Sequence, residues 1–129
     1  MTAGGRILVV EDDQDTAMLL CDALRKRAFE VERVASGPAC LEWLQSRATD
    51  VILVDVQMAG MSGIELCGEL HAHHPDVVAV VLTAQADAET AASARRAGAF
   101  DVVTKPMRLA LLFSTVARAM DSVGRRHAE

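Results

Sequence analysis

Three short runs, Ile7-Leu8-Val9-Val10, Val51-Ile52-Leu53-Val54 and Val77-Val78-Ala79-Val80-Val81-Leu82, are apolar at every position and rich in β-branched residues. A strand without polar alternation has both faces covered, which is the environment of a parallel sheet flanked by helices. Val31-Glu32-Arg33-Val34 and Asp101-Val102-Val103-Thr104 are shorter and more polar, as suits the two edges.

Helical periodicity fills the intervals. Asp13 to Arg27, capped by Asp13 or Asp15, places Ala17, Cys21, Leu24 and Ala28 on one face. Ser36-Gly37-Pro38 opens a helix carrying Cys40, Leu41 and Leu44. Ser62-Gly63-Ile64-Glu65 reads as a capping box ahead of Leu66, Cys67 and Leu70, with Pro75 as the stop. Asp87 caps an alanine-rich segment that ends at Gly98, and Leu109, Leu112, Phe113, Val116 and Met120 line a last helix before a polar end at 121–129. Five βα units joined by right-handed crossovers predict an α/β fold with a doubly wound sheet, whose ligand site lies beyond the carboxyl ends of the strands.

With 129 residues, 51% of them hydrophobic, the chain has the material for one domain and one core. Its formal charge of −5, without a basic stripe, argues against direct binding to nucleic acid or an anionic membrane. Cys21, Cys40 and Cys67 form no Cys-x-x-Cys pair, so neither a disulfide framework nor a zinc site is expected, and a reducing cytosol fits. No apolar run nears the roughly 18 residues of a membrane helix. A soluble, cytoplasmic protein is the expectation. His71, His73 and His74 fall in a last helical turn, where cations suit the dipole better than a metal.

At the strand ends stand Glu11-Asp12-Asp13, Asp55, Thr83 and Lys105-Pro106. Carboxylates converging in one pocket repel each other, and a divalent cation relieves the repulsion. Oxygen donors without nearby His or Cys favour magnesium. A lysine and a threonine add a cation and a hydroxyl donor suited to a tetrahedral oxyanion. Neither Gly-x-x-x-x-Gly-Lys nor Gly-x-Gly-x-x-Gly is present, so the pocket is not a nucleotide cradle. What remains is a carboxylate that itself accepts a phosphoryl group.

In order and spacing, Ile-Leu-Val-Val-Glu11-Asp12-Asp13, Ile-Leu-Val-Asp55-Val-Gln57-Met58, Met61-Ser-Gly63, Val-Leu-Thr83-Ala84, Ala97-Gly98-Ala99 and Thr-Lys105-Pro106 resemble the receiver domains of two-component response regulators, from Arg6 to about Met120. The resemblance implies a flavodoxin-like (βα)5 fold with strand order 2-1-3-4-5, a receiver over residues 1–121 and a polar tail at 122–129. It implies that Asp55 is the phosphoacceptor, taking its phosphoryl group from a sensor histidine kinase or histidine phosphotransfer protein. Glu11, Asp12, Asp55 and the backbone carbonyl of Gln57 would organise Mg2+, with Glu11 acting through water, and Thr83 and Lys105 would hold phosphoryl oxygens.

The implied protein is a signalling switch rather than a turnover enzyme, with a homodimer or partner surface on the fourth helix, fifth strand and fifth helix. Val102 stands where the family usually has an aromatic, Ala59 where it usually has proline and Met107 where phenylalanine is common. Gln57 and Gln85 occupy positions at which the family tunes the lifetime of its acyl phosphate. Two other readings compete. One is a degenerate receiver acting as a docking module; the other is a small phosphohydrolase, because Asp13-Gln14-Asp15-Thr16 resembles the Asp-x-Asp-x motif of the haloacid dehalogenase superfamily.

Overall fold

Each apolar run forms a strand of one parallel sheet. The computed structural model describes residues 5–84, 87–105 and 108–128, with side chains described through Val123. Strands β1 (Arg6–Val10), β2 (Glu30–Val34), β3 (Val51–Asp55), β4 (Val78–Thr83) and β5 (Asp101–Thr104) alternate with helices α1 (Gln14–Arg25), α2 (Gly37–Trp43), α3 (Gly63–His73), α4 (Ala88–Arg96) and α5 (Leu109–Ala128). The sheet order is β2-β1-β3-β4-β5, so the two polar strands are indeed the edges. The flavodoxin-like arrangement expected from the motifs is the one observed.

The sheet divides its side chains by parity. Ile7, Val9, Val51, Leu53, Val78, Val80, Leu82 and Val103 pack with Leu20, Cys21 and Leu24 of α1 and with Leu112, Val116, Ala119 and Val123 of α5. Leu8, Val10, Ile52, Val54, Ala79 and Val81 pack on the other face with Cys40 of α2, Leu66, Cys67 and Leu70 of α3, and Ala94 of α4. All three cysteines are free and buried, and burial pushes the Cys40 and Cys67 thiols up to about 12, as inert core residues require.

Side-chain caps start the first four helices. Asp13 accepts from the Thr16 N–H at 2.9 Å and also from the Thr16 hydroxyl, Ser36 accepts from Ala39 at 3.2 Å, and Asp87 accepts from Thr90 at 2.7 Å. Ser62 and Glu65 exchange the two bonds of the capping box, at 3.1 and 3.2 Å. α4 buries fully only Ala94 among its described residues, as its alanine-rich composition predicts.

Three boundaries and one exposure differ from expectation. α1 ends at Arg25, and Ala28 lies beyond it, exposed and at φ +67°, instead of on the apolar face. The turn after α1 closes with Phe29 N–H to Leu24 O and Ala28 N–H to Arg25 O, the same pair of bonds that closes α4 through Ala99 and Gly98. Gly98 takes the left-handed conformation without cost; Ala28 takes it against a steric penalty of about 1 kcal/mol. Val77 precedes β4, and Leu109, the first residue of α5, is 45% exposed rather than lining the core. The polar 122–128 segment continues α5 as helix. No helix among the described residues is long and apolar enough to cross a membrane.

Candidate functional site

The parallel register brings the strand ends side by side. Asp55 is the last residue of β3 and pairs with Leu82; Thr83 ends β4 and pairs with Thr104; Lys105 follows at once, its N–H donating to Thr83 O at 2.7 Å. Glu11 is the first residue past β1, and its N–H reaches Val34 O at 3.2 Å. These bonds lay the four segments along one rim. Glu11, Asp55 and Thr83 are buried there, while Asp12 is exposed at the mouth.

One carboxylate oxygen from each of Glu11, Asp12 and Asp55 falls within a 4.8 Å cluster. The Lys105 Nζ lies 3.0 Å from Asp55 Oδ2 and 3.3 Å from Glu11 Oε1. The other Asp55 oxygen, Oδ1, accepts the Gln57 N–H at 3.1 Å. Asp12 Oδ2 accepts the Ala59 N–H at 3.4 Å. A proline at residue 59, the family's usual choice, has no N–H to give, so this bond belongs to the alanine. The Asp13 carboxylate is engaged with Thr16 as the cap of α1, outside the cluster.

The cluster is charged in excess. Three carboxylates face one ammonium, leaving two negative charges when all are ionised. Burial, and then the hydrogen bond and like charge of Asp55, push the Glu11 carboxyl up to about 7, against the pull of Lys105 and the Asp13 N–H. Burial would lower the Lys105 ammonium, but Asp55 and Glu11 outweigh it and hold that group above its ordinary value.

Glu11 therefore binds its proton more tightly in the folded than in the unfolded chain. The stability this confers is complete below about pH 4.5 and is lost as pH rises to about 7. Urea unfolding of the metal-free protein is expected to show stability declining across that window, and Glu11→Gln is expected to flatten the decline. An undiminished slope in Glu11→Gln would assign the titration elsewhere.

All five side chains expected to form the site, Glu11, Asp12, Asp55, Thr83 and Lys105, stand on this rim; Gln57 is exposed two residues past Asp55. Gln85, Pro106 and Met107 lie outside the described residues. Val102 is half-buried against the cluster of α2, α3 and α4.

Sequence reasoning missed three contributors. Arg33 of β2 donates to the carbonyls of Glu11 and Asp12, the Ala59 amide donates to Asp12, and α3 presses so closely on the end of β3 that a Cβ at Gly63 would lie 2.3 Å from the Asp55 carbonyl oxygen. An arginine on an edge strand and a glycine inside a capping box were visible signals, but what they touch depends on register.

Residues 7–117 match the family profile described as the response regulator receiver domain. The chain belongs to that family. Receivers of two-component response regulators accept phosphoryl groups as their general function, and this receiver is 37% identical over 120 residues to the regulatory protein AtoC of Escherichia coli K12. It is 34% identical over 116 residues to the DNA-binding transcriptional regulator NtrC of the same strain. The alignments take in 93% and 90% of this chain but 26% and 25% of those proteins, so the receiver spans about a quarter of the curated relatives it matches. Among solved structures, the signal receiver domain of a signal transduction histidine kinase from Syntrophus aciditrophicus superposes with a TM-score of 0.86 at 31% identity, covering 94% of this chain and 93% of that one.

Proposed function

We propose that Asp55 accepts a phosphoryl group from a phosphohistidine on a sensor kinase or phosphotransfer protein. The observation that carries the reading is a carboxylate at a strand end with an ammonium 3.0 Å from one of its oxygens, inside a cluster whose charge is short by two positive units. In the transfer a carboxylate oxygen of Asp55 forms the new P–O bond as the donor's P–N bond breaks, its electron pair leaving with the imidazole. Lys105 stabilises charge on the transferring oxygens, and the buried hydroxyl of Thr83, one strand over, donates to one of them. The Gln57 N–H holds Asp55 Oδ1, so the carboxylate meets the donor already oriented.

The donor set fits magnesium, since three hard carboxylates with an excess charge of two match a small dication. Glu11, Asp12, Asp55 and the Gln57 carbonyl would hold it, and it would neutralise charge on the phosphoryl oxygens. The functional consequence is a signalling switch in the cytoplasm. Its natural output surface is α4-β5-α5, where Asp101 of β5 pairs with Arg95 of α4 at 3.2 Å and Arg118 of α5 at 2.9 Å, so that a shift in one element is felt by the others. A partner or a second copy would dock there. DNA binding, where a longer chain has it as NtrC does, would lie outside this acidic segment.

Intact mass after incubation with acetyl phosphate tests the reading. One phosphoryl adduct is expected with magnesium and none when a chelator replaces it. A metal-free adduct of equal yield would overturn the magnesium requirement, and no adduct under either condition would favour a docking module.

A further inference from the structure

The β1–β2 ladder stops at the pair Val10 and Val34, closed by the Glu11 N–H on Val34 O, and β2 then leaves the sheet toward the Ser36 cap of α2. The carbonyls of Glu11 and Asp12 thus lie past the last strand residue of β2. A side chain takes the strand's place there. Arg33 donates to Glu11 O from Nε at 3.0 Å and from Nη2 at 2.8 Å, and the same Nη2 reaches Asp12 O at 3.3 Å.

We propose that Arg33 is a positioning residue for the metal site. By gripping two successive carbonyls it fixes the peptide planes on either side of Asp12, and so the direction in which this exposed carboxylate is presented. The inference rests on Asp12 being a metal ligand. A rigid two-pronged guanidinium can hold both planes at once; a lysine ammonium supplies the same charge from a single nitrogen.

The sign of the effect separates positioning from charge. A cation beside a dication site opposes metal binding through Coulomb repulsion, so an Arg33 that acted by charge alone would weaken the site, and its removal would tighten it. Positioning requires the reverse.

Calorimetric titration of the full chain with Mg2+ distinguishes them, using the parent, Arg33→Ala, Arg33→Lys and Asp12→Ala. Arg33→Ala is expected to weaken Mg2+ about 10-fold, the low end of the range for residues that orient metal ligands, with Arg33→Lys between it and the parent. In the metal-free protein, the backbone amides of Asp12 and Asp13 are expected to exchange faster in Arg33→Ala, while those of β3 and β4 keep their protection. Unchanged or tighter Mg2+ binding in Arg33→Ala, beside a weakened Asp12→Ala, would overturn the positioning role and leave the metal reading standing. An unweakened Asp12→Ala would overturn that reading and this inference with it. Should Arg33→Ala not fold, Arg33→Lys decides on the same two readouts: parent-like affinity overturns the role and weakened affinity supports it.

Discussion

Asp55→Asn is expected to abolish the phosphoryl adduct that acetyl phosphate and magnesium form on the parent, read by intact mass. The substitution keeps the shape of the side chain and exchanges an anionic nucleophile for a neutral amide, so the bond-forming atom is lost while the fold is kept. Two donors at the position favour a negative charge, against the like charges of Glu11 and Asp12. The Lys105 ammonium sits 3.0 Å from one oxygen, and the Gln57 N–H donates to the other at 3.1 Å. Neutralising Asp55 also removes a like charge from Glu11, so the metal-free variant is expected to be at least as stable as the parent near pH 8. That stability is the internal control. An adduct of parental yield on the Asn chain would place the acceptor at another residue.

Gly63→Ala is expected to be the most damaging glycine-to-alanine change among the described residues. A Cβ at this first residue of α3 would lie 2.3 Å from Asp55 O and 2.8 Å from both Asp55 C and Val56 Cα. All three atoms are backbone at the end of β3, a central strand that is buried throughout, and no flexible side chain can yield in their place. The Gly63 N–H also donates to Val56 O at 3.1 Å, so helix and strand cannot simply part. A loss of about 3 kcal/mol is expected, which lowers the thermal midpoint by roughly 10 °C. Gly68, on the same helix, has nothing within 4 Å of its Cβ position; Gly68→Ala is expected to stabilise by about 0.5–1 kcal/mol. Thermal melts of the two variants read the contrast directly, and equal effects would mean that α3 stands further from β3 than this geometry requires. Because the clash falls on the carbonyl of Asp55 itself, phosphorylation of Gly63→Ala should also slow by more than its unfolded fraction accounts for.

The strands were legible because a doubly covered strand must be apolar at every position, and few other structures demand that pattern. Caps were legible for a similar reason: Asp13, Ser36, Ser62 and Asp87 each bond to an amide three residues along, an interaction contained within its own motif. The end of α1 was not. Its apolar spacing runs on to Ala28, and alanine gives no warning of a left-handed conformation that a glycine would have announced at the same turn.

For the site, the residue types and spacings of Glu11, Asp12, Asp55, Thr83 and Lys105 were enough to expect one pocket, since a parallel sheet delivers every strand end to the same side. Which atoms meet in that pocket was decided by the assembled sheet. The grip of Arg33 on Glu11 and Asp12 exists because β1 and β2 pair with Val9 opposite Arg33, which leaves the guanidinium beside the first carbonyls past the ladder. The Ala59 amide reaches Asp12 across 47 positions of chain, and Gly63 meets Asp55 through the approach of a helix to a strand. The sequence by itself determined the elements, their order and the chemistry at the strand ends, because those follow from local periodicity and residue type. The tertiary structure alone decided how the acidic cluster is held, because that depends on register and on backbone distances between segments that no local pattern encodes.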